Sequence, residues 1–96
     1  MFEWDATKAA TNLRKHGISF EEAATVFANS DALDGPDLKH SKREERALRL
    51  GQSLTGRVLV VAYTIRGAGD EEKIRIISTR RASRKERATY ATGSAD

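Results

Sequence analysis

The run His40-Ser41-Lys42-Arg43-Glu44-Glu45-Arg46 gathers an imidazole, carboxylates and cations within a few residues, and Gly56-Arg57 follows shortly after it. Phosphodiester cleavage without a metal needs those ingredients: a group that moves protons and cations that hold phosphate oxygens. The run therefore poses a choice between a small basic protein that cuts RNA and one that only binds something acidic. His40 is one of two histidines in the chain. A lone histidine also serves as a surface or turn residue, but a nearby carboxylate such as Glu45 favours the protonated, donating form of an imidazole. The other histidine, His16, reads as a cation at a helix C-terminus. Two histidines so far apart, with no cysteine, do not make a metal site.

The arginines form a second group. Arg57 opens an apolar strand after a glycine, and Arg80 and Arg81 close the next strand. Antiparallel neighbours set the start of one strand beside the end of the other, which predicts that these three side chains gather at one sheet edge. A guanidinium offers planar, bidentate donors to phosphate and stays charged. Arg84 and Arg87 extend the basic strip along a last helix, where they also serve solubility. Tyr90 is placed to stack on a base, to donate a proton, or simply to pack that helix on the sheet. Trp4, beside Phe2, reads as core.

Composition bounds these readings. Ninety-six residues with 39% hydrophobic content make one domain, 1–96, with one modest core, and residues 92–96 read as a frayed tail. The absence of cysteine excludes a disulfide scaffold and fits a reducing compartment. The acidic start Met1-Phe2-Glu3-Trp4-Asp5 lacks the layout of a signal peptide, and no apolar run approaches a membrane span, so a cytoplasmic protein is expected. The net charge of +3 hides a polarity: only Lys8, Arg14 and Lys15 are basic before Asp37, whereas Lys73 to Arg87 carries seven basic residues against Glu86 alone. A basic half beside an acidic half suits a polyanion or an acidic protein.

The elements that must position these residues follow from periodicity and caps. Asp5 caps a helix whose face is Ala6, Ala9, Ala10 and Leu13, and Gly17 ends it. Ser19 and Glu22 form a capping box for a second helix with Phe20, Ala23, Ala24 and Phe27 on its apolar stripe. Asp34-Gly35-Pro36-Asp37 reads as a turn. Residues 46–51 alternate loosely, Val58 to Ile65 has the composition of a strand covered on both faces, and Ile74 to Thr79 returns across Gly67-Ala68-Gly69-Asp70 as a hairpin tip. Ser83 and Glu86 form another capping box for a helix to about Ala91. The fold class is α+β: an N-terminal helical hairpin and a C-terminal helix on an antiparallel sheet of three to four strands, with a further short strand at Phe2–Trp4.

Over nearly its whole length the chain resembles the BrnT toxins. The resemblance lies in Phe2-Glu3-Trp4-Asp5, Asn12-Leu13-Arg14-Lys15-His16-Gly17 and Ser19-Phe20-Glu21-Glu22-Ala23, then Asp37, His40-Ser41, Glu45-Arg46, Gly51, Ser53, Gly56-Arg57 and the Val58–Tyr63 strand. It ends with Ile74-Arg75-Ile76-Ile77-Ser78, Arg80-Arg81-Ala82, Glu86-Arg87 and Tyr90. One departure is Thr79, where the family often has alanine. The resemblance implies a RelE-like fold and a type II toxin–antitoxin toxin, a ribonuclease that halts translation. It also implies a BrnA-like antitoxin with a ribbon-helix-helix part, through which alone operator DNA is reached.

The mechanism expected on this basis is metal-independent and cofactor-free RNA cleavage by attack of a 2′-hydroxyl on its own phosphate. His40 or Glu45 takes the proton, Arg57 and Arg80 hold the phosphate, and Tyr90 or Arg81 orients the leaving side. Arg46, Arg81, Arg84 and Arg87 bind RNA phosphates. The reading from another class is a non-catalytic basic module for nucleic acid or an acidic partner, which would show salt-dependent RNA affinity without cleavage.

Overall fold

The computed structural model describes residues 1–39 and 45–93. The chain runs β1 (Phe2–Glu3), α1 (Ala6–His16), α2 (Phe20–Thr25), β2 (Leu33–Pro36), β3 (Ala47–Gln52), β4 (Val58–Arg66), β5 (Lys73–Arg81) and α3 (Arg84–Thr92). Five strands form one sheet in the order β1-β5-β4-β3-β2. The four strands β2 to β5 form three successive antiparallel pairs, and β1 lies parallel to β5 with Phe2 opposite Ile74.

The sheet is therefore wider than the three to four strands expected. The extra strand is β2, formed by the very residues that read as a turn: Asp34, Gly35 and Pro36 pair with Arg49, Leu48 and Ala47. Pro36 is tolerated because β2 is an edge strand, where a missing ladder donor leaves no neighbour unpaired. The second helix also differs from expectation. It stops at Thr25 and tightens into a 3-10 turn over Val26–Ala28, so Phe27 belongs to that turn. The Gly67–Asp70 tip contains a short 3-10 turn over Gly69–Glu71.

The core explains why the elements close as they do. Ile18, Phe20, Ala23 and Val26 meet Leu59, Val61 and Ile76, all essentially inaccessible, with Phe2, Trp4 and Phe27 packed around them. Trp4 stands edge-on to Phe20 at 5.9 Å and Phe2 edge-on to Phe27 at 5.4 Å, which fastens β1 to the helices. Alternate residues of β4 point the other way, and Val60 and Ala62 are buried too. The central strand is thus covered on both faces, as its unbroken apolar run predicts. Gly51 is required by close approach: a Cβ there would come within 2.8 Å of Ala32 Cβ and 2.9 Å of Val26 Cγ1. Glycine lets β3 lie directly against the turn that leads into β2.

Asn12 sets the position of α1. Its Oδ1 accepts the N–H of Thr79 at 3.1 Å, on the edge of β5 that β1 leaves uncovered, and its Nδ2 donates to Ile18 O at 3.1 Å. One buried amide thereby pins both the end of α1 and the start of the next segment to β5. Among the described residues no helix is long and apolar enough to cross a membrane.

Candidate active site

The arginines expected at one sheet edge do reach the same end of the sheet, but the pleat divides them. Arg81 stands opposite Leu59 and Arg80 opposite Val60, so the two consecutive side chains project from opposite faces. Arg57, two residues before Leu59, shares the face of Arg81. Arg57, Arg81 and Arg87 line one cavity of about 370 Å3 with Gly56 and Val58. Arg80 lines another, of about 450 Å3, on the face that carries Leu48, Val60 and Ala62.

Arg57 is engaged in a dense network. Its guanidinium grips Glu22 with Nε on Oε2 at 3.0 Å and Nη2 on Oε1, and Nη2 also donates to Gly17 O at 3.3 Å. Ser53 Oγ and Thr55 Oγ1 donate to the same Oε2 at 2.7 and 2.6 Å. The Arg57 guanidinium, helped by the two hydroxyls, holds the Glu22 carboxyl down at about 2. The turn Ser53–Arg57, closed by Gly56 N–H on Ser53 O at 2.9 Å, is thereby fixed to α2. Sequence reasoning assigned Glu22 to a capping box. Only half of that box forms: Ser19 Oγ accepts from Glu22 N at 3.0 Å, while the carboxylate turns away to Arg57. No local signal announces such a partner, because it lies 35 residues away.

Arg80 has a comparable partner in Glu86, with Nη1 on Oε1 at 2.7 Å and Nη2 on Oε2 at 3.0 Å. Here the predicted capping box is complete: Glu86 Oε1 also takes the N–H of Ser83 at 2.8 Å, and Ser83 Oγ takes that of Glu86 at 3.1 Å. The Arg80 guanidinium is the chief reason the Glu86 carboxyl titrates at about 2. Arg80 remains nearly half exposed, 46% for its side chain, so the pairing aims it without enclosing it.

Around Arg80 the cavity is lined by Ser78 and Thr79 of β5, by Pro36 to Lys39 after β2, and by His16 at the end of α1. Asp37 is buried, and its N–H donates to Arg46 O at 2.9 Å, which anchors this wall to β3. The cavity thus combines an imidazole, two cations and a carboxylate from three parts of the chain. His16, Asp37 and Lys39 were not among the residues singled out for chemistry from the sequence.

The other candidates lie apart. Glu45 and Arg46 line a cavity of about 730 Å3 with Leu38, Tyr63 and Ile65. Tyr90 OH donates to Asn29 Oδ1 at 3.0 Å and lines a separate hollow beside Ser30–Leu33. Arg87 donates to Ala82 O at 2.8 Å, and Arg84 is exposed in the first turn of α3. His40 lies outside the described residues. Among the described residues, the candidates that line a cavity fall in four of them, two sharing Pro36 and Leu38, and of these candidates Arg80 alone lines one with an imidazole.

A further cluster is structural. Arg49 pairs with Asp34 at 2.9 and 3.0 Å and lies 4.5 Å from the Phe27 ring centre, while Tyr63 OH donates to Asp34 at 2.7 Å. Burial and the Asp34 carboxylate push the Tyr63 hydroxyl up to about 12. The cluster ties edge strand β2 to β3, β4 and the 3-10 turn.

Comparison with known proteins gives a consistent result. The family described as "Ribonuclease toxin, BrnT, of type II toxin-antitoxin system" matches residues 4–86. The crystal structure of the Brucella abortus ribonuclease toxin BrnT superposes with a TM-score of 0.62 at 26% identity, covering 88% of this chain and 99% of that one. No curated protein matches.

Proposed function

Because the chain belongs to the BrnT family of ribonuclease toxins of type II toxin–antitoxin systems, we propose that it halts translation by cutting RNA without a metal. The 2′-oxygen attacks the adjacent phosphorus, the bond from phosphorus to the 5′-oxygen breaks, and the products are a 2′,3′-cyclic phosphate and a free 5′-hydroxyl. The observation that carries this reading is the placement of Arg80. It is oriented by a bidentate partner and remains accessible, in a cavity with Lys39 and His16. A guanidinium so aimed stabilises the charge that builds on the phosphoryl oxygens.

Arg80 holds the reacting phosphate. His40 or Glu45 takes the 2′ proton; His40 follows Lys39 directly in sequence. Arg81 and Arg87, on the other face at the same sheet end, hold phosphates farther along the strand, with Arg84 and Arg46 as outlying contacts. Arg57 and Tyr90 act by positioning: Arg57 is bound to Glu22 in the more sheltered of the two pairs, 28% exposed against 46% for Arg80, and Tyr90 is bonded to Asn29. The family implies an antitoxin, and we infer a BrnA-like ribbon-helix-helix protein whose acidic part covers the cationic end of the sheet.

The test is cleavage of total RNA and of short oligonucleotides by the purified chain in the presence of a chelator. Cyclic phosphate ends, and a loss of about 10²–10³ in rate for Arg80→Gln, support the reading. RNA that is bound but never cut would favour the non-catalytic module, and cleavage abolished by the chelator would overturn metal independence.

A further inference from the structure

We propose that His16 is the general acid of the cleavage step, giving its proton to the departing 5′-oxygen. This rests on the ribonuclease reading above and adds to it a residue whose sequence position marks it only as a helix-end cation.

The placement comes from Asn12. That amide fixes α1 against Thr79, and His16 follows it by four residues, one turn along the same helix face. His16 is therefore brought to the strand segment that carries Arg80, and its side chain lines the same cavity. Gly17, in the left-handed conformation with φ 71°, ends α1 immediately after it and turns the chain away. The imidazole is exposed, so it can exchange protons with solvent.

The chemistry of the cavity leaves one role unfilled. Arg80 and Lys39 supply lasting positive charge for the phosphate, and Asp37 is buried in the wall. The reaction still needs a proton for the 5′-oxygen, which leaves as a poor alkoxide unless protonated. Among the described residues of this cavity, only the imidazole belongs to a class that readily gives and regains a proton near neutral pH. Among the described residues, the charged groups that line cavities with His16 are Lys8 and Lys15 on its own helix, Arg80 of β5, and Asp37 and Lys39 after β2. In the step itself the 2′ proton goes to the base, the 2′-oxygen bonds to phosphorus, the 5′-oxygen departs, and it carries away the His16 proton.

The experiment compares two RNA oligonucleotides, one normal and one with sulfur replacing the scissile 5′-oxygen, a leaving group that needs no protonation. His16→Gln should slow cleavage of the normal substrate by about 10²–10⁴ and remove the alkaline limb of its pH profile. On the sulfur substrate the same variant should come within about tenfold of wild type. His16→Lys, which keeps a cation at the helix end, should behave the same way and serves if His16→Gln unfolds. Equal losses on both substrates, or a folded variant that cleaves normal RNA at the wild-type rate, would overturn the assignment. A wild-type chain that cuts neither substrate would sink the ribonuclease reading itself, and this inference with it.

Discussion

Two helices in this chain open with the same signal, Ser19 to Glu22 and Ser83 to Glu86, and the two glutamates end in different places. At α3 the box closes, and Glu86 also holds Arg80, six residues back. At α2 the box stays half open because Glu22 is taken by Ser53, Thr55 and Arg57 across the molecule. Both carboxyls titrate at about 2, each mainly because of its arginine. Their surroundings differ: side-chain exposures are 28% and 11% for Arg57 and Glu22, against 46% and 32% for Arg80 and Glu86. A shared chemistry thus serves two ends. The sheltered pair joins distant segments, whereas the exposed pair sets the direction of a guanidinium that solvent, and RNA, can still reach.

The comparison is sharpened first by Glu22→Gln. It leaves three donors around a neutral amide in a sheltered site, and a loss of about 2 kcal/mol is expected. For a chain of this size that lowers the melting temperature by roughly 10 °C in thermal unfolding. A shift of under a degree or two would show that the network contributes little.

Acid should next reveal the same group. Both carboxyls bind protons less readily in the folded chain than in the unfolded one, where the ordinary value is 4.5. Their stabilisation is therefore complete above about pH 4.5 and is lost as pH falls toward 2. Denaturant midpoints should fall across that window, and Glu22→Gln should flatten the fall more than Glu86→Gln.

Glu86→Gln itself is expected to cost below ~1 kcal/mol, because its ion pair is screened by solvent. A loss equal to that of Glu22→Gln would erase the distinction drawn between the pairs. The smallest effect concerns a buried polar group outside both. Thr79 is 1% exposed, and its hydroxyl finds no hydrogen-bond partner among the described residues. Thr79→Val keeps the shape and removes the unmet donor, so stability should hold or rise by up to ~1 kcal/mol. A clear drop in melting temperature would contradict that account.

Much of the fold was legible in the sequence for physical reasons. The helix limits at Asp5, Gly17, Ser19 and Ser83 are set by caps, which are local. The apolar run of β4 reports burial on both faces whatever its neighbours are. What was hidden depends on distant partners. Asp34-Gly35-Pro36 has turn composition, and it is a strand because β3 supplies the ladder and Phe27, Arg49 and Tyr63 supply the anchor. The site was legible by type and only partly by place. Arg57, Arg80 and Arg81 do mark one end of the sheet, but strand alternation and the pull of Glu22 separate them. His16 was hidden because its cavity is assembled by Asn12, a residue whose amide gives no sign in sequence of reaching β5.

The most direct test of the account sets Arg57→Gln beside Arg80→Gln, measuring RNA cleavage rate and melting temperature for each. The account predicts a crossed result: Arg80→Gln loses cleavage by about 10²–10³ with little change in melting, and Arg57→Gln melts clearly earlier yet still cleaves when folded. A fully stable Arg57→Gln that no longer cuts RNA, together with an Arg80→Gln that cuts normally, would contradict it.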